Sequence, residues 1–173
     1  MLNFLKQFIL HPKQIGSFMP SWPELIKLML EPIDFSKAQH IVEIGPGDGV
    51  ITKQLLKHMR KDAKLTVIEI NEEFCNVLKK INDKRLHIVN DSALNLSKIT
   101  PTADYVISAL PLVNFSDKET DEFLTQVKKI GKCYVQYNYS FAREKLYKKH
   151  FKSLSKKMTL KNVPPAIVYT ARP

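Results

Sequence analysis

Three glycines at alternate positions follow a short apolar segment in the first third of the sequence. They are Gly45, Gly47 and Gly49, within Val42-Glu43-Ile44-Gly45-Pro46-Gly47-Asp48-Gly49. Glycine lets a backbone turn sharply and approach a ligand with no side chain between them. A dinucleotide-binding turn would carry its third glycine at position 50, where this chain has valine. The spacing therefore favours a ligand other than a dinucleotide.

Three carboxylates accompany this turn. The Gly-x-Gly-x-Gly form wraps the amino-acid part of S-adenosylmethionine, and the ammonium group of that ligand accounts for Glu43 just before the turn. Glu69 ends the second predicted strand, where a carboxylate can accept both ribose hydroxyls. Asp91 follows the third and is placed to accept the adenine amino group. Each alone is compatible with an ordinary loop carboxylate, but three at successive strand ends indicate an S-adenosylmethionine-dependent methyltransferase.

The predicted cofactor site also includes the neighbours of these residues at the strand ends. The full set is Glu43, Gly45, Pro46, Gly47, Gly49, Glu69, Ile70, Asp91, Ser92, Ala109 and Leu110. Because methyl transfer depends largely on positioning, we expect no metal.

Strands that alternate with helices must position these residues. Apolar segments predict strands at His40 to Ile44, Leu65 to Ile70, Leu86 to Asn90, Tyr105 to Leu110 and Cys133 to Tyr137, and two more near Phe151 to Ser155 and Ala166 to Thr170. The alternation predicts a doubly wound, Rossmann-like α/β sandwich, whose mostly parallel seven-stranded sheet ends in a C-terminal antiparallel strand. We divide the chain into an N-terminal helical segment, residues 1–35, and a cofactor-binding domain, residues 36–173.

The end of the fourth predicted strand informs the choice of methyl acceptor. Enzymes that methylate planar base or amide nitrogens resemble one another here, with a polar residue, two residues including proline, and then an aromatic. The polar group accepts hydrogen bonds from the target amine and the aromatic stacks on its plane. In Ser108-Ala109-Leu110-Pro111-Leu112, Ala109 stands at the polar position and Leu112 at the aromatic one. Ala109 cannot accept a hydrogen bond through its side chain, and Leu112 has no ring to stack. This departure is evidence against a nucleobase acceptor.

The chain resembles the bacterial phospholipid N-methyltransferases, which convert phosphatidylethanolamine stepwise towards phosphatidylcholine. The similarity covers Phe4-Leu5-Lys6, Gly16-Ser17-Phe18-Met19-Pro20-Ser21, Val42 to Gly49, Leu110-Pro111-Leu112-Val113-Asn114-Phe115, Tyr134-Val135-Gln136-Tyr137-Asn138-Tyr139 and Asn162-Val163-Pro164-Pro165-Ala166. A looser similarity, in the opening turn and glycine pattern, connects it to the ribosomal RNA adenine dimethylases. The residues at Ala109 and Leu112, and the lack of a C-terminal RNA-binding domain, count against that second option.

The resemblance assigns roles to further residues. It implies that Ser17 and Phe18 help to close the site over the cofactor. Tyr137 and Tyr139 are our candidate catalytic residues, because a hydroxyl or a cation–π contact suits the acceptor amine, although ordinary strand-end aromatics are an equally good interpretation. An amphipathic helix over Met1 to Leu10 would lie in a membrane interface or pack over the cofactor cleft.

The charge of the chain is strongly positive, at +10. From Phe141 to Lys161 eight cations accompany one anion, which indicates either a solvated helix face or an anionic partner, a membrane surface or a nucleic acid. We expect Lys156, Lys157 and Lys161 to lie in the connection before the final strand, at the cofactor edge, and to face a membrane there. We expect Lys148 and Lys149, at the opposite edge, to solvate a helix. With no membrane-spanning run and no signal peptide cleavage site, we expect a cytoplasmic protein that associates peripherally with the membrane.

Three hypotheses for function remain open on the sequence. The first is a methyltransferase for the amine of a phospholipid headgroup, with an anionic membrane surface as partner. The second is a methyltransferase for RNA (adenine N6) or a small molecule, with the basic segment attracting phosphate. The third is a non-catalytic S-adenosylmethionine-binding protein. The oligomeric state is left open.

Overall fold

Strands and helices alternate along most of the chain. The computed structural model describes residues 22–161 and 165–173, and helices are numbered here from the first described one. The elements are α1 Trp22–Leu30, β1 His40–Ile44, α2 Val50–His58, β2 Lys64–Glu69, α3 Glu72–Leu78, β3 Leu86–Asn90, α4 Leu96–Ile99, β4 Ala103–Ser108, α5 Asp117–Ile130, β5 Gly131–Asn138, α6 Glu144–His150, β6 Ser153–Thr159 and β7 Ala166–Arg172. Short 3-10 turns cover Ala93–Asn95 and Leu112–Asn114.

The seven strands form one sheet in the order β3-β2-β1-β4-β5-β7-β6. Strands β1 to β5 pair in parallel, and β7 runs antiparallel to both of its neighbours, β5 and β6. The direction of chain travel across the sheet reverses between β1 and β4, which is where open α/β sheets bind ligands, beyond the carboxyl ends of the strands. The predicted doubly wound sheet is thereby confirmed.

Each face of the sheet carries its own apolar core. Because side chains alternate across a strand, Ile41 faces α1 and α2 with Ile107 and Val135, whereas Val42 faces α5 and α6 with Val106. Helix α1 lies against β5, β6 and β7. Helices thus cover both faces of the sheet and hold its strands in place. Strands β1 to β5 all end at the same edge, which we call the carboxyl edge.

The sixth strand differs from the prediction. It starts at Ser153 and continues to Thr159, because it pairs with β7 through all seven residues, whereas the apolar pattern suggested that it ends at Ser155. Lys156 and Lys157 therefore lie within the strand, and the expectation that they sit in the connection at the cofactor edge is wrong. The Lys156 ammonium donates to Glu144 Oε2 at 2.8 Å, and the Lys157 ammonium donates to Glu31 Oε1 at 2.6 Å.

Lys148 and Lys149 lie near the carboxyl end of α6, at the opposite edge as expected, and both are exposed ion-pair partners, of Glu144 and Asp121. The first predicted helix, Met1 to Leu10, lies outside the described residues, so the division at residue 35 stays a prediction. No helix of the described residues is long and apolar enough to cross a membrane.

Candidate cofactor and acceptor site

The glycine turn lies between β1 and α2 with all three glycines at positive φ. Gly45 has φ 68°, Gly47 55° and Gly49 82°, values that a side chain disfavours. A Cβ atom on Gly49 would meet the Leu78 side chain at 2.8 Å, and one on Gly45 would meet Leu110 at 3.0 Å. Nothing lies within 4 Å of the Cβ position of Gly47, so the middle of the turn faces open space. The turn thus packs at both ends and leaves its centre for a ligand.

Glu43 is fully buried beneath this turn. Its Oε2 accepts a hydrogen bond from Thr52 Oγ1 in the first turn of α2, at 2.7 Å. Its Oε1 has no hydrogen-bond partner among the described residues. Burial raises the pKa of the Glu43 carboxyl to about 8. An unpartnered, buried carboxylate oxygen next to the turn suits a ligand ammonium group.

Glu69 connects the end of β2 to the glycine turn. Its Oε2 accepts from the backbone N–H of Gly47 at 3.2 Å and its Oε1 from that of Asn71 at 2.8 Å. Each carboxylate oxygen has a further lone pair, so both can still accept a hydroxyl proton. Asn90 Nδ2 donates a hydrogen bond to the backbone carbonyl of Glu69 at 2.8 Å, which stabilises the end of β2. The carboxylate therefore keeps acceptor capacity at the strand end, and its contact to the ribose stays a prediction.

Asp91 is held within its own loop. Its Oδ1 accepts from the backbone N–H of Ser92 at 2.6 Å and from Asn95 Nδ2 at 2.8 Å. The hydrogen bond from Asn95 lowers the pKa of the Asp91 carboxyl, so it is ionised at neutral pH. Ser92 in turn caps the following 3-10 turn through Leu94 N–H. The loop thus fixes the orientation of the Asp91 carboxylate, and its contact to adenine stays a prediction.

The other predicted cofactor residues lie at the same edge. Ile70 is 61% exposed directly after Glu69, so its apolar side chain is accessible to a ligand at this edge. Pro46 is buried in the turn. Ala109 and Leu110 follow β4, which pairs with β1 through Ile44 and Ser108, so they lie beside the glycine turn. Ser17 and Phe18 lie outside the described residues, and their role stays a prediction.

The exit of β4 offers no side chain to a planar acceptor. Leu112 is completely buried in the core on the α5 face, and Ala109 packs against the core on the other. Neither side chain donates or accepts a hydrogen bond. The lack of a polar group at 109 and of an aromatic at 112 therefore coincides with side chains that pack into the protein at both positions.

Tyr137 and Tyr139 meet at the carboxyl end of β5. Their ring centroids are 5.6 Å apart in an edge-to-face arrangement. Burial raises the pKa of the Tyr137 hydroxyl, so this group stays protonated at neutral pH and is suited to hydrogen bonding rather than to acting as a base. Tyr139 is 40% exposed. The pair presents aromatic surface at the end of β5, next to residues 109–115 after β4, which we name the acceptor loop.

Two polar side chains that the sequence analysis did not single out hold the acceptor loop. Gln136 is fully buried, and its Nε2 donates to the backbone carbonyl of Leu110 at 2.9 Å while its Oε1 accepts from Tyr134 at 2.7 Å. Arg143 donates through Nε to the carbonyl of Leu112 at 3.0 Å and through its other nitrogens to Phe115 and Asp117. Gln136 and Asn138 alternate with apolar residues in β5, a pattern that marks them as polar positions in a strand but does not reveal the contact to Leu110.

The geometry fits S-adenosylmethionine part by part. Glu43 offers a buried oxygen to an ammonium, Glu69 two oxygens to a diol, and Ile70 an apolar surface to a flat ring. Within residues 22–161 and 165–173, no group of three or more acidic, histidine or cysteine residues could hold a metal ion. These residues therefore offer hydrogen-bonding groups for a ligand that carries an ammonium and a vicinal diol.

Solved structures of methyltransferases share this fold. A Burkholderia thailandensis 1,6-didemethyltoxoflavin-N1-methyltransferase, with bound 1,6-didemethyltoxoflavin and S-adenosylhomocysteine, superposes with a TM-score of 0.75 at 12% identity, over 98% of this chain and 85% of that one. The N-methyltransferase NodS from Bradyrhizobium japonicum, in complex with S-adenosylhomocysteine, gives a TM-score of 0.67 at 16% identity, over 87% and 84%. The fold and site define an S-adenosylmethionine-dependent methyltransferase, with S-adenosylmethionine as its cofactor.

Residues 17–128 match the model of the ribosomal RNA adenine dimethylase family, and the chain belongs to that family. An ornithine lipid N-methyltransferase from Singulisphaera acidiphila is 26% identical over 180 residues, which span 98% of this chain and 94% of that protein. A ribosomal RNA small subunit methyltransferase A from Mycoplasma capricolum is 37% identical over 96 residues, which span 54% of this chain and 35% of that protein. The chain is thus similar to a lipid methyltransferase along its length and to RNA methyltransferases over about half of it.

Proposed function

We propose that this protein transfers methyl groups to the amine of a membrane lipid headgroup, with phosphatidylethanolamine as the phospholipid candidate. The exit of β4 carries the proposal, because Ala109 and the buried Leu112 provide neither a hydrogen-bond acceptor nor a ring for a planar base. An aliphatic amine needs neither group. The match to an ornithine lipid N-methyltransferase along nearly the whole chain supports a lipid amine.

The proposed reaction depends mainly on alignment. The uncharged amine nitrogen forms a bond to the methyl carbon while the carbon–sulfur bond breaks, with its electron pair left on the sulfur. S-adenosylmethionine supplies this activated methyl group. Gln136 and Arg143 fix the loop along which the amine would approach, and the paired rings of Tyr137 and Tyr139 are suited to attract a methylated, cationic headgroup. The acceptor ammonium gives its proton to solvent before attack.

Radiolabelled methyl transfer tests the proposal directly. The full chain is incubated with methyl-labelled S-adenosylmethionine and, separately, with phosphatidylethanolamine, ornithine lipid, ribosomal RNA or a pool of small metabolites. We expect label in an amine-bearing lipid, none in phosphatidylcholine, which has no nitrogen left to methylate, and suppression by S-adenosylhomocysteine. Label in RNA without label in any lipid would overturn the proposal.

RNA adenine N6 methylation is the second candidate. The family match over residues 17–128 and the 37% identity to a ribosomal RNA methyltransferase favour it. The chain spans about a third of that relative's length. Under this alternative, binding to ribosomal RNA would weaken steeply with salt, because phosphate contacts release counterions, and label would appear in adenine.

A further inference from the structure

Exposed apolar side chains are concentrated at the carboxyl edge of the sheet. Among the described residues, seven large hydrophobic side chains are strongly exposed, and only Val77, within α3, lies away from that edge. Ile70 belongs to the predicted cofactor site. The remaining five, which we name the apolar rim, are Val113, Tyr139, Phe141, Met158 and Leu160.

The strand order brings the apolar rim together on one half of the edge. Val113 follows β4, whereas Tyr139 and Phe141 follow β5. Met158 pairs with Ile167 of β7, and the same Ile167 pairs with Asn138 at the end of β5. All five residues therefore lie at the ends of β4, β5 and β6, on the side of the sheet away from β3.

Charged side chains flank both halves of this edge. The half that holds the cofactor residues carries exposed carboxylates on Asp48, Glu72 and Glu73. On the other half, lysines accompany the apolar rim. The Lys156 ammonium lies 4.8 Å from the centre of the Phe141 ring, and the exposed Lys161 follows Leu160, with its ammonium 3.9 Å from Glu24. Lys156 is also paired with Glu144 at 2.8 Å, so these two lysines can attract lipid phosphates by exchanging their carboxylate partners.

We propose that the apolar rim is a docking surface for a lipid bilayer, an inference that rests on the proposed lipid acceptor. Phe141, 55% exposed, and Leu160, 72% exposed, lie at strand ends rather than in a groove, which suits insertion among lipid headgroups and acyl chains. Tyrosine favours the boundary between these layers, and lysine stems extend along apolar surface while their ammonium groups reach phosphates. The rim lies beside Tyr137 and the acceptor loop, so a headgroup in the docked bilayer faces the methyl-transfer site.

Vesicle flotation of the full chain measures the docking. The test variant combines Phe141→Ser with Leu160→Ser, and the control is Val77→Ser, which removes an exposed apolar side chain of 40% exposure far from the rim. Vesicles contain phosphatidylcholine alone or an equimolar mixture with anionic phosphatidylglycerol. We expect the double variant to partition at least about tenfold more weakly than the wild type, with an unchanged melting temperature, and Val77→Ser to match the wild type. Equal partitioning of the wild type, the double variant and Val77→Ser would refute the docking surface. So would a wild type that binds no vesicles but binds a protein partner through the rim.

Methyl transfer to a short-chain, monomeric lipid amine separates this proposal from the proposed function. Docking predicts that the double variant methylates the monomer at the wild-type rate and loses activity only on vesicles. Wild-type methylation of vesicle lipid at a rate the double variant shares would overturn docking while the lipid acceptor stands. Rim-dependent vesicle binding without methylation of any lipid would overturn the proposed function while docking stands.

Discussion

Glu43 and Thr52 form a buried pair directly beneath the glycine turn. Thr52 Oγ1 donates to Glu43 Oε2 at 2.7 Å, while Oε1 has no partner among the described residues. Burial outweighs this single hydrogen bond and raises the pKa of the carboxyl to about 8. The protein without its cofactor therefore holds Glu43 mostly protonated at neutral pH, and two predictions depend on this state.

The first prediction concerns stability. Between the ordinary pKa of 4.5 and the folded value of about 8, the unfolded chain ionises Glu43 whereas the folded chain does not, so the contribution of this residue to stability falls as pH rises through that window. Glu43→Gln removes the effect, and we expect it to unfold with a flatter pH dependence and to gain on the order of a few kcal/mol relative to the wild type by pH 8. Urea unfolding at pH 5 and pH 8 without cofactor measures both. Glu72→Gln, on the exposed start of α3, is the control, and identical slopes for wild type and Glu43→Gln would contradict the assignment.

The second prediction concerns the proton itself. A cationic ammonium beside Glu43 favours the ionised carboxylate, so binding of S-adenosylmethionine near pH 7 should release close to one proton. Calorimetry in two buffers of different ionisation enthalpy counts protons as the difference in apparent binding enthalpy. We expect no release from Glu43→Gln, together with a weaker affinity. The same enthalpy in both buffers for the wild type would show that Glu43 does not respond to the ligand.

The third prediction separates the ribose carboxylate from its neighbours. Glu69→Gln replaces one of two acceptor oxygens by a donor, and loses charge-assisted hydrogen bonds worth roughly 1.5–3 kcal/mol each. We therefore expect the dissociation constant for S-adenosylmethionine to rise by roughly tenfold to a hundredfold, measured by calorimetry. Glu73→Gln, four residues on and exposed, should bind as the wild type does. An unchanged affinity for Glu69→Gln would exclude the predicted ribose contact.

The sequence was sufficient to predict the parts of the site that depend on local pattern. The turn around Gly45 and the carboxylates Glu43 and Glu69 follow from residue type and from the rule that parallel strands end at one edge, and the structure brings them together as expected. The mostly parallel sheet follows from the alternation of strand and helix patterns.

Features that depend on distant pairing could not be predicted in this way. Strand β6 extends through Lys156 and Lys157 because an edge strand is stabilised by backbone hydrogen bonds to β7 and tolerates charged side chains. Gln136 is twenty-six residues from Leu110, and its hydrogen bond to that carbonyl requires β5 to lie beside β4 in a particular register. A polar residue in a strand pattern does not reveal whether helices will cover its face of the sheet, so the burial of Gln136 could not be predicted.

The fourth prediction tests Gln136 as a positioning residue. Gln136→Met keeps the shape of the side chain but removes the hydrogen bond to the Leu110 carbonyl, so the acceptor loop loses its anchor. Tyr134→Phe is the matched control, because it breaks the hydrogen bond that Gln136 Oε1 accepts and leaves intact those that Nε2 donates to Leu110, Tyr137 and Asn138. Both variants should lose roughly 1–3 kcal/mol of stability. Only Gln136→Met should lower kcat, by about tenfold or more, with an unchanged affinity for S-adenosylmethionine. Equal kcat values in the two variants would assign Gln136 a structural role alone.

The last prediction distinguishes the hydroxyl from the ring at the paired tyrosines. If the aromatic faces of Tyr137 and Tyr139 attract a methylated ammonium, Phe at either position keeps the attraction and Leu loses it, because the cation–π interaction needs the ring and not the hydroxyl. The loss should grow with the number of methyl groups on the acceptor, since a methylated amine donates fewer hydrogen bonds. We therefore expect Tyr139→Leu to raise KM for the dimethylated lipid by roughly threefold to thirtyfold relative to Tyr139→Phe, with a smaller change for the unmethylated lipid. Steady-state kinetics on matched mono-, di- and unmethylated headgroups measures this series. The opposite order, with Phe as damaging as Leu, would assign the tyrosine hydroxyls to the acceptor and leave the rings as packing partners of each other across their 5.6 Å separation.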